Sequence, residues 1–145
     1  MQNPSENLSV VKQVVSKTVK DLPTQIVEEL LEKLIAFEDK KGFLEKDCSV
    51  NTIAEMFKTN QNYLSRVVNA KKGMAFNLYI SNLRIDYAIE RLKSDVKFRS
   101  YTIEGIAHTI GFSSATGFAN AFYAKTGIKP SYFIKQLNNT TLIVD

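Results

Sequence analysis

The 145-residue sequence has one cysteine, one histidine and no long apolar run. The lone Cys48 cannot close an internal disulfide, and a single thiol fits a reducing cytoplasm. One histidine and one cysteine, far apart in the chain, supply no metal-ligand constellation, so no metal is expected. No stretch approaches the ~20 apolar residues that a membrane span needs, and no membrane contact is expected of this segment. The opening MQNPSENLSVVKQ has neither a charged n-region nor an apolar h-region, so no signal peptide is read there. A glycine-rich phosphate loop, HExxH and GxSxG are all missing, which leaves no basis for an enzyme or a cofactor. Strand-like alternation is also missing, so the expected fold class is all-α.

What is present is a globular composition, 44% hydrophobic, at a length that fits one domain with a sizeable core. The net charge of +4 is unevenly placed. Residues 24–49 carry seven acidic and four basic side chains, whereas residues 50–136 carry five acidic and twelve basic. A basic stretch of this kind points to a polyanion, most often nucleic acid, although many ordinary domains share it.

Residues 1–22 are polar and read as a tail or the end of a linker, with Val10, Val11, Val14 and Val15 able to line a short helix face. Ile26, Leu30, Leu31, Leu34 and Ile35 predict an amphipathic helix over 24–40 that ends at Gly42. Ser49 is the expected cap of a helix with Val50, Ile53, Ala54 and Phe57 on one face. A polar turn over 58–62 leads to a second short helix with Leu64, Val67 and Val68 inward, closing near Gly73. The longest pattern, about 75–93, buries Phe76, Ile80, Leu83, Ala88 and Leu92 and spans roughly 28 Å. Residues 94–99 read as a charged loop. Thr102 caps a helix with Ile103, Ile106, Ala107 and Ile110 inward, and Gly111 breaks it. Ser113 or Ser114 starts another, with Phe118 and Phe122 inward and Gly127 as its stop. Pro130 opens a last helix to about Gln136, followed by a C-terminal tail, 138–145.

The two helical pairs repeat each other. Ser49-Val50 answers Thr102-Ile103, and Ile53-Ala54 answers Ile106-Ala107, at an offset of 53. After one extra residue in the second turn, Leu64, Val68 and Gly73 answer Phe118, Phe122 and Gly127, and Tyr79-Ile80 answers Phe133-Ile134. Each unit is thus a short helix, a turn and a second short helix with a glycine stop. The small residue needed where the two helices cross is Ala54 or Ala107. A connecting helix of roughly 28 Å compares with the ~34 Å turn of B-DNA. Two copies are too few for a stacked solenoid.

The segment IAHTIGFSSATGFANAFYAKTGIKPSYF, residues 106–133, resembles the C-terminal signature of the AraC family of bacterial regulators. The residues that carry the resemblance are Ile106-Ala107, Gly111-Phe112, Phe118, Phe122, Gly127 and Pro130-Ser131-Tyr132. Residues 49–93 are similar to the family's first unit and linker helix. The resemblance implies about seven helices, with a double helix-turn-helix DNA-binding domain over 23–137. It implies regulation of transcription through double-stranded promoter DNA, with a reading helix of each unit in successive major grooves. RNA polymerase and a sensor domain enter as further partners, because such a domain is often the output end of a larger cytoplasmic, nucleoid-associated regulator.

Carried over by alignment, the first reading helix would expose Asn60, Gln61, Asn62, Ser65, Arg66 and Asn69. Arg66 can pair with guanine O6 and N7, and asparagine or glutamine with adenine N6 and N7. The second would expose Ser113, Ser114, Ala115, Thr116, Gly117 and Asn120. Many relatives carry a basic residue where Asn120 and Tyr123 stand and a larger one at Gly117, so weaker or more phosphate-directed binding is expected of the second unit. Serine and asparagine still bond phosphates, and Ala115 or Thr116 can touch a thymine methyl. Lys129 is the favoured phosphate lysine, ahead of Lys71, Lys72 and Lys125. Tyr79, Tyr101 and Tyr132 have hydroxyls for phosphate but suit buried positions with one polar end at least as well. His108 reads as a surface or groove-edge residue. The competing function is a protein-interaction domain that keeps the fold with little DNA affinity.

Overall fold

The computed structural model describes residues 22–144, with side chains to 140. Apart from Leu22, the expected N-terminal tail lies outside the described residues, as do the four valines named above. Among the described residues the structure is all helix and turn: α1 (Thr24–Asp39), a 3-10 turn (Gly42–Leu44), α2 (Val50–Met56), α3 (Gln61–Lys72), α4 (Phe76–Ser94), α5 (Val96–Arg99), α6 (Ile103–Thr109), α7 (Ala115–Thr126) and α8 (Pro130–Val144). The described residues sort into two compact units, one made of residues 22–41 with 48–79, the other of 42–47 with 80–144.

In the first unit α2 and α3 form the helix pair and α1 packs against α3. The Ser49 hydroxyl accepts from the Thr52 N–H (3.1 Å), so the expected cap is made. Ile53, Ala54, Leu64, Val67 and Val68 are buried, and Gly73 closes α3 at φ 72°. On α1 the buried stripe is Val27, Leu30, Leu34 and Phe37. Ile35 is 59% exposed, contrary to the sequence expectation, and Ile26 and Leu31 are only half-buried. The stripe follows Phe37, whose ring meets Phe57 edge-on at 6.2 Å. The Lys33 ammonium donates to the Phe57 carbonyl at the end of α2 (2.6 Å). The α1 terminus also differs from expectation: Lys41, not Gly42, takes the left-handed conformation (φ 57°).

The second unit has an aromatic core. Phe112, Phe118, Phe122 and Phe133 form a continuous row with ring centroids 5.6–5.9 Å apart. Phe98, Phe118 and Phe122 have no solvent exposure, and each such ring contributes about 1.5–3 kcal/mol by leaving water. Three further corrections fall here. Leu83 is half-buried, while Arg84 and Ile85 take its expected place in the core. The supposed loop at 94–99 contains α5, capped by the Asp95 carboxylate, which accepts from the Phe98 N–H (3.1 Å). Its Phe98 and Arg99 are both buried, and with α5 the described residues hold eight α-helices, in keeping with the expected number of about seven. Finally, α8 runs to Val144 instead of stopping near Gln136, with Leu137 packed on the core and Thr140 bonded back to the Gln136 carbonyl (2.9 Å).

Arg84 organises this unit. Its Nε donates to the Phe43 carbonyl (2.7 Å) and its Nη2 to the Glu45 carbonyl (2.6 Å), while the guanidinium lies 5.4 Å from the Phe112 ring centroid. An arginine fork satisfies two carbonyls at once because its donors are rigidly splayed. It thereby fastens residues 42–47, which precede α2 in sequence, to α4.

Candidate nucleic-acid interface

The turn between the paired helices follows one hydrogen-bond pattern in both units. Lys58 (φ 59°) and Gly111 (φ 96°) hold the left-handed position, 53 residues apart. The next N–H then reaches back to the crossing alanine: Thr59 to the Ala54 carbonyl and Phe112 to the Ala107 carbonyl, both 2.9 Å. Lysine is tolerated at the first turn because position 58 is exposed. The second turn needs glycine, since a Cβ at 111 would stand 2.8 Å from Arg84 Nε and 2.9 Å from the Leu44 carbonyl oxygen.

The second helix of each pair, α3 or α7, is capped by the residue just before it. Asn60 Oδ1 accepts from the Tyr63 N–H (2.8 Å), and Ser114 Oγ accepts from the Gly117 N–H (3.0 Å). Both residues thus have a structural task beside any contact to DNA. Asn60→Ala and Ser114→Ala are each expected to cost about 1 kcal/mol of stability, checked by urea unfolding of the variants; a loss in DNA binding with unchanged stability would show that the cap is dispensable.

With Leu64, Val67 and Val68 inward, the other side of α3 presents Gln61, Asn62 and Asn69 exposed and Ser65 and Arg66 half-buried. Asn69 folds back, its amide donating to the Ser65 carbonyl (2.9 Å). Gln61 Nε2 donates to Asn51 Oδ1 on α2 (2.9 Å). Asn51 escaped the sequence reading because nothing in its spacing marks it. On α7, with Phe118 and Phe122 inward, Thr116 and Asn120 are exposed and Ala115 is half-buried, and Ser113 and Ser114 just before it are exposed. A groove of about 510 Å³ brings Asn120 and Tyr123 together with Lys129 at the start of α8. A side chain at 117 would crowd Ser114 Oγ, 3.3 Å from its Cβ, so the glycine there suits this cap.

The remaining candidates separate. Lys72 is engaged at home, 3.1 Å from the Glu38 carboxylate and over the Tyr79 ring. Lys125 pairs with Asp86 at 3.0 Å, whereas Lys71 and Lys129 are exposed. Tyr79 is buried, and burial first, then the nearby Glu38 carboxylate, pushes its phenol above the usual range and keeps it neutral. Tyr101 and Tyr132 are exposed. His108 lies 3.6 Å from Glu104 on α6 and is half-buried. Among the described residues no group of acidic, histidine or cysteine side chains could hold a metal, and no helix is long and apolar enough to cross a membrane.

Known proteins agree with this architecture. A solved C-terminal domain of AraT, a response regulator from Geobacillus stearothermophilus, superposes with a TM-score of 0.62 at 24% identity, covering 77% of this chain and 84% of that one. An AraC-type DNA-binding domain protein from Chromobacterium violaceum gives 0.61 at 24% identity, over 76% of this chain and 92% of its own. In sequence the chain is 32% identical over 93 residues to YfiF, an uncharacterized HTH-type transcriptional regulator of Bacillus subtilis, covering 64% of this chain and 28% of that protein. The chain is 28% identical over 89 residues to YijO of Escherichia coli, another uncharacterized HTH-type transcriptional regulator, covering 61% of this chain and 30% of YijO. The chain therefore spans less than a third of these relatives. A family model described as a helix-turn-helix domain matches residues 53–136, more than half of the sequence. The chain belongs to this helix-turn-helix domain family.

Proposed function

We propose that this chain binds double-stranded promoter DNA sequence-specifically and so regulates transcription, its α3 and α7 reading successive major grooves. The observation that carries the reading is the repeated turn: two units with a left-handed residue at the same place and the same N–H to alanine bond each lead into a capped helix with a polar outer side. A helix-turn-helix presents the start of its second helix to base edges. Arg66, Asn62 and Gln61 are the base-reading residues of the first unit, with Asn60, Ser65 and Asn69 beside them. Ser113, Ser114, Ala115, Thr116 and Asn120 make the shallower contact of the second, with Lys129 on phosphate. The relatives' names, all transcriptional regulators, support the same function. Residues 23–137 act as the output domain of a larger cytoplasmic regulator in this reading, with a sensor domain and RNA polymerase as its protein partners and no catalytic step.

Selection from a random duplex library, followed by a salt titration on the enriched site, tests it. Two conserved blocks about one turn apart are expected, with log affinity falling linearly in log salt at a slope near −0.9 per phosphate contacted. Arg66→Ala should lower affinity by about 1–3 kcal/mol and relax one G·C preference in the first block. A shallow salt slope without enrichment would favour the protein-interaction function instead.

A further inference from the structure

We infer that Asn51, on the first helix of the first unit, is a positioning residue that holds Gln61 ready to read an adenine. The inference rests on the DNA-reading function proposed above. Gln61 is the first residue of α3 and Asn51 the second of α2, and each helix start is pinned by its own cap, Asn60 and Ser49. Their amides meet at 2.9 Å, with Gln61 donating and Asn51 accepting. Both side chains are exposed. A bond between two exposed amides adds little to folding, because water competes for both partners. What it does is fix a long, flexible side chain at the end of the reading helix that meets base edges.

The bond uses one Nε2 hydrogen of Gln61 and leaves the other hydrogen and Oε1. A donor and an acceptor in one amide plane complement the N7 acceptor and N6 donor of adenine in the major groove. The second unit cannot build this device: in the repeat, the counterparts of Asn51 and Gln61 are Glu104 and Ala115, and alanine has no amide to hold. The effect is therefore confined to one base pair in the block read by the first unit.

The test compares wild type, Asn51→Ala, Gln61→Ala and the double variant by site selection and by titration on the wild-type site. Asn51→Ala should weaken binding roughly threefold to tenfold, the scale of ordering one flexible side chain. It should also flatten an adenine preference at a single position that Gln61→Ala flattens too. In the Gln61→Ala background it should add less than about twofold, as expected of residues acting through one contact. Asn51→Asp, which keeps the acceptor, should retain the adenine preference while losing affinity overall through charge repulsion from phosphate. Additive losses would overturn the inference by showing that Asn51 meets DNA on its own, and so would an unchanged base profile in Asn51→Ala. If wild type enriches a site and only these variants disagree, the positioning role fails alone. If wild type enriches none, the DNA-reading function fails and takes the role with it.

Discussion

Gly111→Ala is expected to remove roughly 3 kcal/mol of stability, most of it from the second unit. Two effects add. The backbone there sits at φ 96°, a conformation that costs a side-chain-bearing residue about 1–3 kcal/mol. The new methyl would also lie 2.8 Å from Arg84 Nε and 2.9 Å from the Leu44 carbonyl oxygen, and forcing a methyl into packed space costs about 1–3 kcal/mol more. The backbone oxygen cannot step aside as a side-chain tip would. Against a total of about 5–15 kcal/mol for a domain, this should lower the urea midpoint by roughly 1.5 M at a slope near 2 kcal/mol/M. Gly73 and Gly127 supply the control, since both have positive φ but nothing within 4 Å of an added Cβ. Their alanine variants should lose only about 1 kcal/mol each. Equal losses at all three glycines would refute the clash and leave backbone strain alone.

Arg84→Met should destabilise the second unit by a similar amount, roughly 3 kcal/mol. Methionine keeps much of the stem, so the substitution isolates the guanidinium. That group gives charged donors to the Phe43 and Glu45 carbonyls at 2.7 and 2.6 Å, and bonds of this kind contribute about 1.5–3 kcal/mol each. Its contact with the Phe112 ring goes as well. Lysine at 84 should restore less than half, because a single ammonium on a flexible stem does not reproduce the fork. Unfolding in urea measures the total, and amide hydrogen exchange locates it: protection over residues 42–47 should fall first. A variant within 1 kcal/mol of wild type would show that the segment is held without the arginine. Because Arg84 forms part of the wall that makes position 111 tight, the two substitutions should also be less than additive.

Some features were legible because their causes are local. A serine or threonine before an apolar rhythm caps a helix whatever surrounds it, and Ser49 and Thr102 do so. Gly73 and Gly127 stop α3 and α7 because left-handed backbone suits glycine. The repeat offset, the alanines at the crossings and the inward faces of α3 and α7 follow from 3.6-residue periodicity. The expected errors arose where a choice was not local. On α1 two apolar registers compete, one through Ile35 and one through Phe37, and the edge contact with Phe57 chooses. At 94–99 a lone phenylalanine among charges gives no rhythm, yet Phe98 becomes fully buried.

The sequence by itself determined two helix-turn-helix units, their caps and stops, and the polar outer sides of α3 and α7, because each depends on residues a few positions apart. Only the tertiary structure decided that Arg84 belongs in the core, that position 111 must be glycine while 58 need not be, and that Asn51 stands beside Gln61. Those facts depend on distances between segments up to dozens of residues apart, such as Arg84 and Phe43. A buried charge reads in sequence like any surface arginine until the carbonyls that satisfy it are in place.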